Sequence, residues 1–271
     1  IDDGYDTPIA KNNIQKLCDK CGIDLHTITP DPVQFNDLTR SYILAEVPNL
    51  AIPQDNILFA YLYSFAKANH IHTFLSGGNF ALESILQQGN THSAYDLVNL
   101  RDIHKRFGTQ PMNKLKFLSR IQKSIVDKYL LKIKTIRPLN FIDYNRERAI
   151  AELTEFCDFQ YYGNKHLENT LTKITQLYWL PVKFKVDKRR SHYSSMIISG
   201  QMTRDEALRK LEEPLFVQQD MDKDVDIVLK NLNLSRAEFE DILHRPGKSH
   251  TEYKTSKPDA LAHYVIQKRK E

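Results

Sequence analysis

Residues 187–204 concentrate four cationic side chains, one histidine and six hydroxyl-bearing residues in 18 positions. Such a set suits a polyanion. Arg189 and Arg190 offer planar bidentate forks, Lys188 a point charge, and short hydroxyls close the remaining acceptors. A solvated charged loop is the plain alternative for any Lys-Arg-Arg triplet. Ser194, Ser195, Gln201 and Arg204 add hydrogen-bonding groups that solubility alone does not require, and His192 adds an imidazole. A phosphate-rich ligand is the chemistry that these residue types point to.

Two further clusters carry chemistry. Ser76-Gly77-Gly78-Asn79-Phe80-Ala81-Leu82-Glu83 falls where a strand is expected to turn into a helix, and backbone N–H groups converge on anions at such turns. Glycine lets a ligand approach the main chain closely. A lone Gly-Gly turn is weak evidence, but Asn79 and Glu83 lie one helical turn apart and are expected to face one pocket. The second cluster, Tyr162-Gly163-Asn164-Lys165-His166-Leu167-Glu168, gathers a cation, an imidazole, an amide and a carboxylate; its plain alternative is a surface turn.

Other candidates read as structural. Cys18 and Cys21 have zinc or redox spacing, yet no second Cys or His pair lies beside them, and both fall on an apolar helical stripe where thiols pack as core. Cys157 has no partner spacing. His26 and His72 lie on expected strands and read as structural. No His/Asp/Glu set has metal-site spacing, so no protein metal site is expected, and neither a nucleophile elbow nor a P-loop lysine motif occurs.

A chain of 271 residues with 41% hydrophobic and 10% aromatic content supports one large domain or two, each with a proper core. A net charge of +4 speaks against a general nucleic-acid coater, so electropositive function must come from local clustering. No run reaches the roughly 18 apolar residues of a membrane span. The nearest candidate, residues 57–66, contains Tyr61, Tyr63 and Ser64 and reads as a buried helix. The odd total of three cysteines and the lack of a leader-like opening lead to the expectation of a reducing, cytoplasmic location. Ile1-Asp2-Asp3-Gly4 reads like a strand end entering a turn, and the expectation is that the chain begins inside a domain.

The elements that must position these residues are legible from local signals. Thr7-Pro8 starts a helix that Gly22 ends, with Ala10, Ile14, Leu17, Cys18 and Cys21 on one stripe. Alternation predicts strands at residues 23–29, 71–75 and 133–136. Helices are expected after Pro32, after Asp55, and from Asn79 to about Gln87. Strands alternating with helices predict an α/β fold with a parallel sheet, in which ligands sit beyond the carboxyl ends of the strands. After about residue 145 the pattern turns helical, with capping boxes at Thr203/Glu206 and Ser235/Glu238, and the last 25 or so residues read as a basic arm.

Several of these pieces, in this order, resemble the N-acetyl sugar amidotransferase family of the PP-loop ATP pyrophosphatase superfamily, which includes the amidotransferases of pseudaminic acid, legionaminic acid and lipopolysaccharide O-antigen biosynthesis. The matching landmarks are Asp2-Asp3-Gly4, Ile52-Pro53-Gln54-Asp55, Gly77-Gly78-Asn79 with Glu83-Ser84, Arg137-Pro138-Leu139, residues 162–168, and Asp187-Lys188-Arg189-Arg190 through Thr203-Arg204. The resemblance implies a PP-loop (HUP-like) α/β domain over residues 1–145, lacking its first strand and phosphate loop, followed by a mainly helical substrate-binding region over 146–271. It also implies that ATP with Mg²⁺ activates the N-acetyl oxygen of a nucleotide-linked sugar as an adenylate, and that ammonia from a partner glutaminase turns the group into an acetamidino group. Asp3, Gly77, Gly78, Asn79 and Glu83 would then serve the nucleotide. Lys165, His166, Lys188, Arg189 and His192 would serve the phosphates and the proton transfer. Asp55, Glu168, Arg190, Ser194, Ser195, Gln201 and Arg204 would serve the sugar nucleotide. A homodimer stays open. The superfamily's Ser-Gly-Gly-x-Asp-Ser loop does not occur in the 271 residues, since position 80 is Phe. Two alternatives stay open: a PP-loop enzyme acting on tRNA, with the basic segment on the RNA backbone, and a phosphate-loop-less subunit that binds a nucleotide sugar without turning it over.

Overall fold

The computed structural model describes residues 1–87, 90–124, 129, 131–163 and 167–258. Lys165 and His166, from the second cluster, lie outside the described residues, as does the basic arm beyond residue 258. The helices are α1 (Pro8–Cys21), α2 (Pro32–Leu44), α3 (Ile52–Ala68), α4 (Phe80–Glu83), α5 (Leu97–Phe107), α6 (Arg146–Cys157), α7 (Thr170–Ile174), α8 (Leu180–Phe184), α9 (Arg189–Ile198), α10 (Arg204–Glu212), α11 (Gln218–Leu232) and α12 (Arg236–His244). A π-helical turn, Thr175–Trp179, joins α7 to α8. Two strands, β1 (Thr73–Leu75) and β2 (Lys134–Ile136), pair in parallel with Thr73 opposite Lys134 and Leu75 opposite Ile136.

The fold is therefore mostly helical, and the expected sheet is reduced among the described residues to these two short strands. Residues 23–29 alternate as a strand should but join no ladder, and all except Ile28 are exposed. Their link to the N-terminal segment is one hydrogen bond, Asp2 N–H to the Ile28 carbonyl at 3.0 Å. Alternation specifies an extended chain, whereas a strand also needs a neighbour to exchange hydrogen bonds with. Parallel strands are normally covered on both faces; here Leu75 is 75% and Ile136 43% exposed.

Helix boundaries follow their local chemistry. The Thr7 hydroxyl accepts the Ala10 N–H at 3.3 Å, Pro8 opens α1, and Gly22 closes it at φ +63°. Asp31 caps α2 through the Gln34 N–H at 3.0 Å. The stripe expected on α1 is only partly covered. Ala10 and Asn13 are buried, but Ile14, Leu17 and Cys21 are exposed and Cys18 is half-buried. Helix α1 packs on α6 alone among its strongest contacts, and Asn13 exchanges two hydrogen bonds with the Gln160 backbone.

The principal core centres on α2, which packs on α3, α5, α11 and α12. Phe35, Leu38 and Tyr42 meet Trp179, Val225 and Phe239 there, so residues on either side of position 145 share one core. The Trp179 indole N–H reaches the Val47 carbonyl at 3.0 Å, which satisfies the polar edge of a fully buried ring.

Residues 249–256 are docked, contrary to the reading of this stretch as part of a loose arm. Tyr253 is buried and its hydroxyl donates to the Ala45 carbonyl at 2.8 Å. The His250 ring stacks on His92 at 4.7 Å, and the Asn99 amide donates to the His250 and Lys254 carbonyls. Asp96 completes the clasp, facing His92 Nε2 at 3.0 Å and accepting the Ser256 N–H at 3.1 Å. Burial pushes the Asp96 carboxyl up, but the His92 ring and the N–H groups of Ser256 and Asn99 outweigh it and hold it below the ordinary value. The stability this carboxylate contributes is present above its ordinary value and is lost as pH falls through the lowered one. Asp96→Asn should lower the melting temperature at neutral pH and weaken the loss of stability below about pH 4. Parallel curves of melting temperature against pH for the two proteins would remove Asp96 from this role.

Candidate functional site

The residues that follow the two parallel strands come together. Ser76 N–H donates to the Ile136 carbonyl at 2.9 Å, so the Gly77-Gly78 turn after β1 lies beside Arg137, the first residue after β2. Asn79 is buried and caps α4 through the Leu82 N–H at 2.9 Å, while its amide donates to the Gly77 carbonyl. Gly78 is closely approached by side-chain ends: a Cβ there would sit 3.3 Å from Glu83 Oε2, which would have to shift slightly, and 3.6 Å from Arg137 Nε. Gly77 meets no such restriction and contributes only to the turn.

Helix α9 packs on α4, and the hydroxyl-rich sequence accounts for how it is held. The Ser195 hydroxyl, fully buried, accepts the Ile85 N–H at 3.0 Å and donates back to the Ser191 carbonyl at 3.0 Å. The Ser199 hydroxyl donates to the Ala81 carbonyl at 2.9 Å, and the Gln87 amide reaches the Asp187 carbonyl at 3.1 Å. His192 Nδ1 lies 3.3 Å from the Leu82 carbonyl, which can only accept; Nδ1 therefore carries the proton and Nε2 is the basic nitrogen. Beneath these contacts Leu82, Tyr193, Met196, Met202 and Ala207 form a small core of their own.

Between the Gly78 turn and the start of α9 lies a cavity of about 460 Å³, within the size range of small-molecule sites. It brings Gly78, Asn79 and Glu83 together with Lys188, Arg189 and His192, and adds Arg137, Asn140, Gln176 and Leu177. A second hollow between the end of α1 and α6 is lined by Glu152 and Glu155 against one cation, Lys20, a balance that disfavours an anion.

Lys188 and Arg189 are adjacent in sequence but differ in what they do. The Arg189 guanidinium is already fully used. It grips Asp187 through Nε at 3.1 Å and Nη2 at 2.9 Å, and it donates to the carbonyls of Lys210, Leu211 and Glu213 at the end of α10. It acts as a C-terminal cap for α10 and a clamp on the start of α9. The Lys188 ammonium, half-buried, has no carboxylate or hydrogen-bond partner among the described residues, and burial pushes its pKa below the usual lysine value. Arg137 is likewise without a carboxylate partner among the described residues.

Several residues expected to meet substrate do not line this cavity. Arg190 and Ser194 share the face of α9 turned away from α4, and the Ser194 hydroxyl donates to the Arg190 carbonyl at 2.7 Å. Ser195 is spent on the backbone contacts just described. Gln201 caps α6, accepting the Arg146 N–H at 3.1 Å and donating to the Tyr144 carbonyl at 2.9 Å. Arg204 and Asp55 are exposed on the first turns of α10 and α3, and the Glu168 carbonyl accepts the Thr7 N–H at 2.8 Å. Hydroxyls and amides within hydrogen-bonding reach of a helix backbone satisfy it before they satisfy a ligand.

Asp3 also lies away from the cavity lining. It accepts from Tyr5 N–H, Gln54 and Asn169, and Asn169 in turn caps α7. Asp2, Asp3 and Asp6 bring carboxylate oxygens within 4.8 Å of one another, a cluster that the sequence reading missed. Lys11 holds Asp2 at 2.7 Å and Asn169 donates to Asp6 at 2.9 Å, so the cluster works as an anchor for the first residues.

The site thus combines a glycine turn after parallel strands with a half-buried lysine and an arginine in one cavity lining. Residues 168–269 match the family described as LPS biosynthesis protein WbpG-like, C-terminal domain. That stretch supplies Gln176, Leu177, Lys188, Arg189 and His192, the α9 side of the cavity. A comparison with curated proteins gives no match. Among the described residues no helix is long and apolar enough to cross a membrane.

Proposed function

We propose that this chain carries the sugar-nucleotide site of an N-acetyl sugar amidotransferase acting in lipopolysaccharide or nonulosonic acid biosynthesis. The observation that carries the reading is Lys188: a cation with no partner among the described residues, in the WbpG-like part of a cavity lining that also holds the Gly78 turn and Arg137. A buried-stem ammonium with no carboxylate to neutralise it is stabilised by an anionic ligand. The overall reaction replaces the acetamide oxygen by nitrogen. ATP activates that oxygen as its adenylate with loss of pyrophosphate, and ammonia from a partner glutaminase adds to the carbon as AMP leaves. One proton must leave the attacking nitrogen.

The chain's own groups divide that work. Lys188 and Arg137 hold the diphosphate of the sugar nucleotide, and the Gly78 main chain lets it approach. His192 Nε2 takes the proton, with the Leu82 carbonyl fixing the tautomer. Mg²⁺ in nucleotide sites is held by one or two carboxylates plus phosphate and water oxygens. Glu83, at the Gly78 turn, fits that pattern and would be the residue that meets it; bound there, the ion would neutralise phosphate charge.

The test is mass spectrometry of UDP-linked diacetamido sugars incubated with the protein, ATP, Mg²⁺ and ammonium. Exchange of one oxygen for an imino group is the expected product, with AMP and pyrophosphate formed only when the sugar is present. A second reading is binding without turnover, and retention of the sugar nucleotide with no mass change would select it. Failure to retain any nucleotide sugar would end both.

A further inference from the structure

The helix that contributes Gln176 and Leu177 to the cavity lining changes its winding there. Leu180 N–H donates to the Thr175 carbonyl, five residues back, in the π turn between α7 and α8. Pro181 supplies the cause. It has no N–H to give, and its ring would press on the carbonyl four residues earlier, that of Leu177, so the turn before it widens. The consequence is a division of side chains. Ile174, Tyr178 and Trp179 go into the principal core, while the half-buried Gln176 and Leu177 line the cavity that Lys188 also lines, with Leu177 packing against that core as well.

Gln176 differs from the other amides of the site. Asn79 is committed to the Leu82 N–H and the Gly77 carbonyl, and the Asn140 oxygen accepts the Phe80 N–H at 2.8 Å. The Gln176 carboxamide has no hydrogen-bond partner among the described residues. Leu177, next to it in the chain, and Leu167 are among the apolar residues of the lining. The cavity lining therefore combines charged groups, Lys188, Arg137 and Glu83 among them, with a neutral pair, the Gln176 amide and Leu177. A secondary amide bearing a methyl group is complementary to that neutral pair: one donor, one acceptor and a small apolar end.

We propose that Gln176 is the specificity-determining residue of this site, its carboxamide meeting the amide of an N-acylated sugar while Leu177 covers the acyl methyl. This rests on the reading of the cavity as a sugar-nucleotide site. A ligand with a hydroxyl in place of the acylamino group leaves one edge of Gln176 unpaired, at a cost of about tenfold in affinity.

The experiment is calorimetric titration with UDP-N-acetylglucosamine and UDP-glucose, which differ at one substituent. The wild-type protein should bind the N-acetyl compound about tenfold more tightly. Gln176→Met should erase that ratio by weakening the N-acetyl compound alone, with UDP-glucose binding and the melting temperature unchanged. Equal weakening of both ligands, or a retained preference, would overturn the proposal. A wild-type protein that binds both equally, with binding still lost in Lys188→Met, would also overturn it while leaving the site reading intact. Binding of neither would remove both together. As a check that needs no variant, saturation-transfer NMR on the wild-type complex should mark the acetyl methyl most strongly; a methyl signal weaker than the sugar-ring protons would count against it.

Discussion

Lys188→Met should weaken binding of a sugar diphosphate on the order of a hundredfold while leaving the fold intact. A charge-assisted hydrogen bond contributes about 1.5–3 kcal/mol, and each 1.4 kcal/mol is roughly a factor of ten. Methionine keeps the length of the lysine stem, and no carboxylate among the described residues loses a partner, so stability should hold or rise slightly. Burial already disfavours the charged ammonium, so binding should also fall off at a lower pH than an ordinary lysine would give. The sign is fixed by the ligand: an anion binds the protonated form, so affinity is present below the Lys188 pKa and is lost above it. Titration calorimetry across the alkaline range, with thermal melting beside it, checks both parts. Unchanged affinity in the variant would show that the cation faces solvent and not ligand.

The neighbouring substitution should do the reverse. Arg189→Ala removes the partner of a partly buried carboxylate, Asp187, which is 20% exposed, and strips donors from three carbonyls that end α10. Breaking a largely buried ion pair from one side costs about 3 kcal/mol, which for a chain of this size corresponds to a fall of roughly 6–12 °C in melting temperature. Adding Asp187→Asn should recover part of that loss, because no charge is then left without its partner. Ligand binding should suffer only as far as the start of α9 loosens. A variant that melts normally yet no longer binds would make Arg189 a ligand-contacting group after all.

The contrast between these adjacent residues shows how far the sequence reading reached. The segment after Asp187 and the glycine turn at residue 77 were both identifiable from composition, and the structure places Lys188 and Gly78 in one cavity. The sheet was over-read. Residues 23–29 have the alternation of a strand and remain extended without a ladder, because pairing depends on a neighbour that local pattern does not specify. Gln176 was missed, although Pro181 inside a helical stretch was the available signal for a distorted turn.

What the chain's order of residues determined alone was local: where helices begin and end, through Thr7-Pro8, Asp31-Pro32, Asn79 and Gly22, and which segments are rich in cations and hydroxyls. Those features depend on atoms within a few positions of one another. Only the tertiary structure decided how each polar group is used. The partners of Ser195 and His192 lie 110 residues away, at Ile85 and Leu82, and a hydroxyl bonded to main-chain groups on both its donor and acceptor sides is no longer available to a phosphate.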